Sequence, residues 1–491
     1  MSRVVVIGAG LGGLVVAARL ARLGHQVILC EQRESVGGKL GTVSEQGFSW
    51  DTGPSLLTMP QVFSEFFLAT GDPLDREVTL RPLDPLTRYF FADGSSVDAS
   101  SDIDQHCAAL DNAFGDGRGA EWRALYQRAG QIFAASRGPF LESPLAGMRS
   151  LARLAVHSPR DIRTIAPTRT LRELGHTYLR DPRLRMMLDR YATYAGSDPR
   201  RAPAALAAIA YVEQAFGGWQ IDGGLHQLAT AVARRAQECG VRLLLGTEVG
   251  AIERIGNRVS GVRLADGDTL SADIVVANAD ASQVSERLLP ELKLRTSPPS
   301  LSGFVLLLGL RGRTKNLASH TVLFPADYDA EFDAVFGGRP VSEPTIYVSA
   351  PDDPAVRPSA DSEAWFVLVN APRHGTGISR TDGTVNWTDT GLADSYAQQV
   401  LALLARRGYE VRDRIDVLRI RTPADLERET GSPGGAIYGT ASHGPRSAFL
   451  RPANATKIPG LYLVGGSAHP GGGLPLVTLS ARIVAELIGA A

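Results

Sequence analysis

The sequence predicts an α/β fold assembled from separated stretches of chain, and three observations predict it. Val4-Val5-Val6-Ile7 runs into Gly8-Ala9-Gly10-Leu11-Gly12-Gly13, then an apolar stretch through Leu20, then Val27-Ile28-Leu29-Cys30-Glu31. Between about 301 and 420 apolar strands alternate, among them Phe304–Leu310 and Ala364–Asn370, with one helix near Leu392–Arg407. Near the far end, Gly460-Leu461-Tyr462-Leu463-Val464-Gly465-Gly466 reads as a buried strand ending in glycines, with a closing helix over Val477–Ile488. The first and third belong to one parallel sheet and the second to another.

The opening unit is strand, glycine turn, helix, strand and a terminal carboxylate, and each part has a physical job. Gly8 makes the tight turn, Gly10 lets the backbone approach a pyrophosphate, and Gly13 lets the helix pack close to the strand. The helix N-terminus, with Gly12 in its first turn, presents unpaired N–H groups to phosphate. Glu31, eighteen residues past Gly13, is placed to accept hydrogen bonds from a ribose diol. A turn made glycine-rich by packing alone does not explain an acid at that point.

Directly after Glu31 comes Gln32-Arg33-Glu34-Ser35-Val36-Gly37-Gly38-Lys39. A second glycine pair followed by a cation resembles flavoproteins of the glutathione-reductase and amine-oxidase type. The resemblance implies FAD as the cofactor, with Gln32, Gly37, Gly38 and Lys39 at its site; an ordinary turn before the next strand is the plainer alternative.

The chain of 491 residues is too long for one core. Hydrophobic content of 44% and charged content of 21% are those of a soluble globular protein, and a net charge of −1 argues against a nucleic-acid partner. Cys30, Cys107 and Cys239 have no metal-ligand spacing, so no metal site is expected and a reducing cytoplasm is. The first strand begins almost at once, leaving no room for a signal peptide, and no run is long and unbroken enough to span a bilayer. Membrane contact is therefore expected to be peripheral.

Along the chain, Arg88–Val97 reads as a hairpin turning at Ala92-Asp93-Gly94. Helical patterning, interrupted by prolines, fills Asp104–Val212. Gly217–Gly224 leads into a helix with Leu225, Leu228, Val232 and Ala236 on one face, then a strand at Val241–Leu245 and a meander through Asn278. The expected domains are a discontinuous Rossmann-like FAD-binding domain (1–75, 213–295 and 432–491), an inserted sheet-based substrate domain (76–103 and 296–431), and a helical, membrane-associating region (104–212).

At the C-terminus, Leu461-Tyr462-Leu463-Val464-Gly465-Gly466-Ser467-Ala468-His469-Pro470-Gly471-Gly472-Gly473-Leu474-Pro475 resembles the closing signature of the bacterial phytoene desaturase family. Gly217–Gly224, Thr247–Val249, Asn278-Ala279-Asp280 and Tyr194–Pro199 are similar to the same family in the same order. The resemblance implies an FAD-dependent enzyme that inserts double bonds into a long acyclic polyene by hydride transfer to flavin. It also implies Val249, Asn278, Gly465, Gly466, Leu474 and Pro475 as cofactor residues. Ser467-Ala468 and Gly472–Val477 depart toward the branch acting on already modified carotenoids, the hydroxycarotenoid 3,4-desaturases and terminal-methyl oxidases. Two other readings stay open: a flavin amine or protoporphyrinogen oxidase, and a prenyl-binding protein of the GDP-dissociation-inhibitor type that turns nothing over.

Independently of that likeness, a flavin needs hydrogen-bond donors at its N1/O2 edge. The helix opened by Gly471–Pro475 supplies backbone N–H groups and a favourable dipole for that purpose. Removing two hydrogens from carbons flanked by alkenes needs only a weak base, so no triad or metal cluster is expected. His469 is the first candidate at the flavin face, or else a structural histidine bracing its loop. Glu213 is a second, as base or ligand to a substrate hydroxyl, or else a surface ion pair. Tyr191, Tyr194, Tyr211, Phe216 and Trp219 are candidates to line an apolar tunnel, or simply core. Met148–Arg185 holds nine arginines with Leu151, Leu154, Ile162 and Ile165, a cationic amphipathic stretch suited to the inner face of the cell membrane or to a solvated helix face.

Overall fold

A computed structural model describes residues 1–145, 159–294, 298–376, 383–444, 447 and 451–491. The strand Arg3–Ile7 is central in a parallel five-stranded sheet whose order is Leu461–Leu463, Ile274–Ala277, Arg3–Ile7, Gln26–Cys30, Arg242–Leu244. Alternation along Arg3–Ile7 sets the layers. Val4 and Val6 pack with the helices Leu11–Arg22, His226–Glu238 and Leu474–Ile488. Val5 and Ile7 pack on the other face with Val249, Ile252, Val262 and Leu264 of an antiparallel meander, Val249–Ile255, Arg258–Leu264 and Thr269–Ser271. Full burial of each such side chain contributes about 1.5–3 kcal/mol, which explains why the strand tolerates no polar residue after Arg3.

A second sheet has seven strands in the order Ile415–Arg421, Ser302–Arg311, Ser362–Ala371, Ile346–Ser349, His320–Leu323, Thr87–Phe90, Ser96–Ala99. Ser302–Arg311 is buried on both faces. Phe304, Leu306, Leu308 and Leu310 meet the helix Leu392–Arg406, while Val305 and Leu307 meet Phe48 and Trp50. A helix that the sequence reading missed, Tyr328–Phe336, is capped by Asp327, whose carboxylate accepts from the N–H groups of Asp329 and Ala330. Tyr328, Phe332 and Val335 stood at helical spacing, but nine residues gave too short a pattern to separate from the strands around it.

The third region is helical: Ile103–Phe114, Arg118–Ser136, Pro159–Ile165, Leu171–Tyr178, Pro182–Thr193 and Ala207–Phe216, around a core that includes Trp122, Leu125, Leu171 and Leu188. No described helix is long and apolar enough to cross a membrane. Leu151 and Leu154 of the basic stretch lie outside the described residues. Arg172 pairs with Asp189 and Asp329, and Arg183 pairs with Asp181 and Asp93, so these two are neutralised within the fold. Arg160 and Arg163 stand exposed on the helix Pro159–Ile165, and Ile165 is buried.

Candidate active site

The helix Leu11–Arg22 begins at Gly10 with no side-chain cap, so the N–H groups of its first turn point outward with no side-chain acceptor. A Cβ on Gly13 would stand 2.0 Å from the Gly8 carbonyl oxygen, and one on Gly12 2.8 Å from Asn278 Oδ1 and 3.2 Å from Gly465 Cα. Asn278, just past the strand Ile274–Ala277, holds the turn from the side, with Nδ2 donating to the Gly8 carbonyl at 3.2 Å. An uncapped helix terminus inside a cradle stripped of side chains fits a pyrophosphate.

Glu31 is buried and tied to this turn: Oε2 accepts from the Ala9 N–H at 2.7 Å and Oε1 from the Arg33 N–H at 3.0 Å. The bond to Ala9 was not legible in sequence, since an acid at that spacing points first to a ribose. Gly37 bridges to Gly10 with its N–H on the Ala9 carbonyl at 2.9 Å, so the second glycine pair lies along the first turn. Lys39 donates from Nζ to the carbonyls of Ala436 and Ile437 at 3.0 and 2.9 Å, linking this loop to the C-terminal segment. Gln32 is exposed, and Val249 is buried at the start of the meander opposite Leu264.

The C-terminal loop closes over the same region. Gly465 and Gly466 follow the strand Leu461–Leu463, and the helix Leu474–Ile488 opens on Leu474 and Pro475 with no side-chain cap. Arg451, buried, braces the loop through the carbonyls of Gly466 (2.9 Å), Tyr438 (3.3 Å) and Thr440 (3.1 Å). Burial pulls its pKa down to about 10. His469 is buried, its Nε2 2.9 Å from the Ser143 carbonyl, while its own carbonyl accepts from Asn454 and Ser480. Those contacts are those of a loop brace. Burial also pulls the His469 imidazole below its ordinary pKa, opposed by the Ser143 carbonyl.

Glu213 differs from the sequence reading. It lies on the helix Ala207–Phe216 and at 3% exposure it is no surface ion pair. Phe216-Gly217-Gly218-Trp219 marks the strand that follows, which obscured the helix before it. Tyr191 donates to Glu213 Oε1 at 2.8 Å and Tyr194 to Oε2 at 3.3 Å. Burial raises the carboxyl above its usual range, opposed by the Arg190 charge and by the two tyrosine hydroxyls. Tyr211 and Phe216, on the same helix, instead join Phe133, and Tyr211 also meets Tyr126. The Trp219 ring N–H donates to the Phe216 carbonyl. The five aromatics thus divide, and only Tyr191 and Tyr194 contact Glu213 by hydrogen bond. Arg190, Tyr89 and Tyr347, which lie near Glu213, and His320, which bonds Tyr347, carried no sequence pattern beyond Arg190 and Tyr194 standing four apart.

The family described as flavin containing amine oxidoreductase matches residues 11–310. Over 99% of its length this chain is 34% identical to the hydroxyneurosporene desaturase of Cereibacter sphaeroides, covering 97% of that protein. It is equally 34% identical, over 99% of its length and 98% of the relative's, to the 4,4'-diapolycopene oxygenase of Methylomonas sp. Among solved structures, cyclohexylamine oxidase from Brevibacterium oxydans superposes with a TM-score of 0.62 at 15% identity over 99% of both chains, a likeness of fold. FAD is the cofactor of such proteins, and the glycine cradle fits it. This chain belongs to the carotenoid desaturase family of flavin-dependent oxidoreductases.

Proposed function

We propose that this protein is an FAD-dependent carotenoid desaturase that introduces C=C bonds into a long acyclic polyene at a membrane surface. The observation that supports it most is similarity to carotenoid desaturases along the whole chain, so the cradle and both inserted regions share one ancestry with them. The amine-oxidase likeness is one of fold, and a prenyl-binding role leaves the complete glycine cradle without a purpose.

In this reading Gly8, Gly10, Gly12 and Gly13 hold the pyrophosphate, Glu31 the ribose, and Gly465, Gly466, Leu474 and Pro475 the flavin end. FAD, when bound, supplies the hydride acceptor. The chain's own part is to orient an apolar substrate and exclude water. Tyr191 and Tyr194 stand edge to face beside the substrate channel, with the Arg190 guanidinium over the Tyr194 ring. Glu213, held by both hydroxyls, is the polar group beside them. His469, engaged by Ser143, keeps the loop in place.

Peripheral association with the inner face of the cell membrane completes the proposal, supported by the lipid solubility of polyenes and by exposed Arg160 and Arg163. The decisive experiment supplies purified protein with FAD and lipid-dispersed acyclic carotenoids, with chromatography of the products. Products with extended conjugation are expected. Unchanged carotenoids in the presence of bound FAD and an electron acceptor would overturn the proposal.

A further inference from the structure

Arg190 is a buried cation with no carboxylate paired to it among the described residues. The side chain is 6% exposed. Among the described residues its side chain makes one hydrogen bond, from Nη1 to the Tyr89 hydroxyl, and it is long, at 3.4 Å. Asp189, its neighbour in sequence, pairs with Arg172 instead at 2.6 Å. Glu213, which feels the Arg190 charge, forms no ion pair with it among the described residues and accepts from Tyr191 and Tyr194. Three aromatic faces surround the guanidinium: its Cζ is 4.9 Å from the Tyr194 ring centre, 5.7 Å from Tyr347 and 5.8 Å from Tyr89. Such faces stabilise the charge but leave the N–H donors unused.

The surroundings make this a site. Tyr194, Tyr347 and Tyr438 are only partly buried, unlike Tyr89 and Tyr191. Tyr347 is locked by Ser55 and by His320, whose Nδ1 is 2.5 Å from its hydroxyl. Tyr438 joins the cluster to the flavin end of the cradle. A Cβ on Gly472 would stand 3.1 Å from its ring and one on Gly196, two residues after Tyr194, 3.2 Å.

We infer that Arg190 is a specificity-determining residue that, with Glu213, grips a hydroxyl group at one end of the polyene. The inference rests on the desaturase reading and deepens it. Glu213, held by a tyrosine hydroxyl at each oxygen, stands beside the Arg190 charge with acceptor capacity remaining. A hydroxyl accepts from the free guanidinium and donates to a remaining lone pair of Glu213, answering both partners at once. A methyl end group would exclude water from the guanidinium and offer it nothing in return. Sites built around a buried polar group reject an analogue that lacks the matching hydroxyl far more strongly than an apolar pocket rejects an added one.

The test uses the FAD-loaded full chain and a matched pair of probes, an acyclic conjugated carotenoid with a terminal tertiary hydroxyl and its hydrocarbon counterpart. Binding is read by quenching of tryptophan fluorescence and turnover by kcat/KM. Wild type should favour the alcohol by ~100-fold or more in both. Arg190→Met should shrink that preference at least tenfold through weaker alcohol binding, and Arg190→Lys should restore part of it. Should Arg190→Met lose FAD or fold poorly, the wild-type preference and the Lys variant decide the matter. Equal binding and turnover of the two probes by wild type would overturn the inference and leave the desaturase reading standing. An undiminished preference in a folded, FAD-loaded Arg190→Met would do the same. Failure of wild type to turn over either probe would overturn both.

Discussion

The carbonyl oxygen of Gly8 stands 2.0 Å from the place a Cβ on Gly13 would occupy, so strand end and helix start touch backbone to backbone. No rotamer relieves that contact, because the obstructing atom belongs to the main chain. Gly13→Ala should therefore push the helix Leu11–Arg22 off the strand Arg3–Ile7 and open the cradle. The expected outcome is protein that purifies with little or no flavin absorbance and a lower Tm. A flavin content equal to wild type would show that the turn accommodates a methyl group.

Glu31 holds the Ala9 and Arg33 N–H groups, and the proposed ribose contact falls on the same carboxylate. Glu31→Ala leaves the buried Ala9 N–H without its 2.7 Å partner, at a cost of about 1–3 kcal/mol in stability. Loss of a charged acceptor for the ribose should weaken FAD binding by about 1.5–3 kcal/mol in addition. Glu31→Gln keeps an amide oxygen for Ala9 but sets its NH2 against the Arg33 N–H, so a smaller loss of stability than in Glu31→Ala is expected, together with reduced FAD affinity. Calorimetric titration of deflavinated protein with FAD checks this, and unchanged affinity in both variants would remove Glu31 from the cofactor site.

His106 carries a pH dependence. It is 1% exposed on the helix Ile103–Phe114, accepts the Ser100 N–H on Nδ1 at 3.3 Å and lies 5.3 Å from the Trp122 ring. Burial depresses its pKa to about 4. The unfolded chain takes up this proton near pH 6.5, the folded chain only near 4. Its contribution is thus intact above 6.5 and is lost as pH falls from there to about 4, by roughly 1.4 kcal/mol per unit within the window. His106→Gln should lower stability at pH 7 yet give a shallower decline between pH 6.5 and 5. Parallel stability–pH curves for the two proteins would refute the assignment.

Legibility in sequence followed the length and regularity of the pattern. Val4–Ile7 with its glycines, and Leu461–Leu463 with Gly465, announce a sheet because apolar runs end in residues that only close backbone approach requires. The strands Ser302–Arg311 and Ser362–Ala371 were readable for the same reason of length. The helix around Glu213 was hidden by the glycines that follow it, and its burial by the habit of acids to stay in water. Arg190 was hidden differently. It follows a stretch of nine arginines, and whether a cation is paired depends on Asp189 turning to Arg172, which no linear pattern records.

The edge strand Leu461–Leu463 has a bearing on how the protein is made. It pairs with Ile274–Ala277, and Gly465 beside it forms one wall of the cradle. On the ribosome, the strand Arg3–Ile7 and its glycine turn emerge first and wait while both inserted regions are synthesised. The cradle therefore has all its walls only after Gly465 has been translated and has left the exit tunnel. A nascent chain stalled in the middle sheet carries every residue of the N-terminal glycine motif but an incomplete binding site.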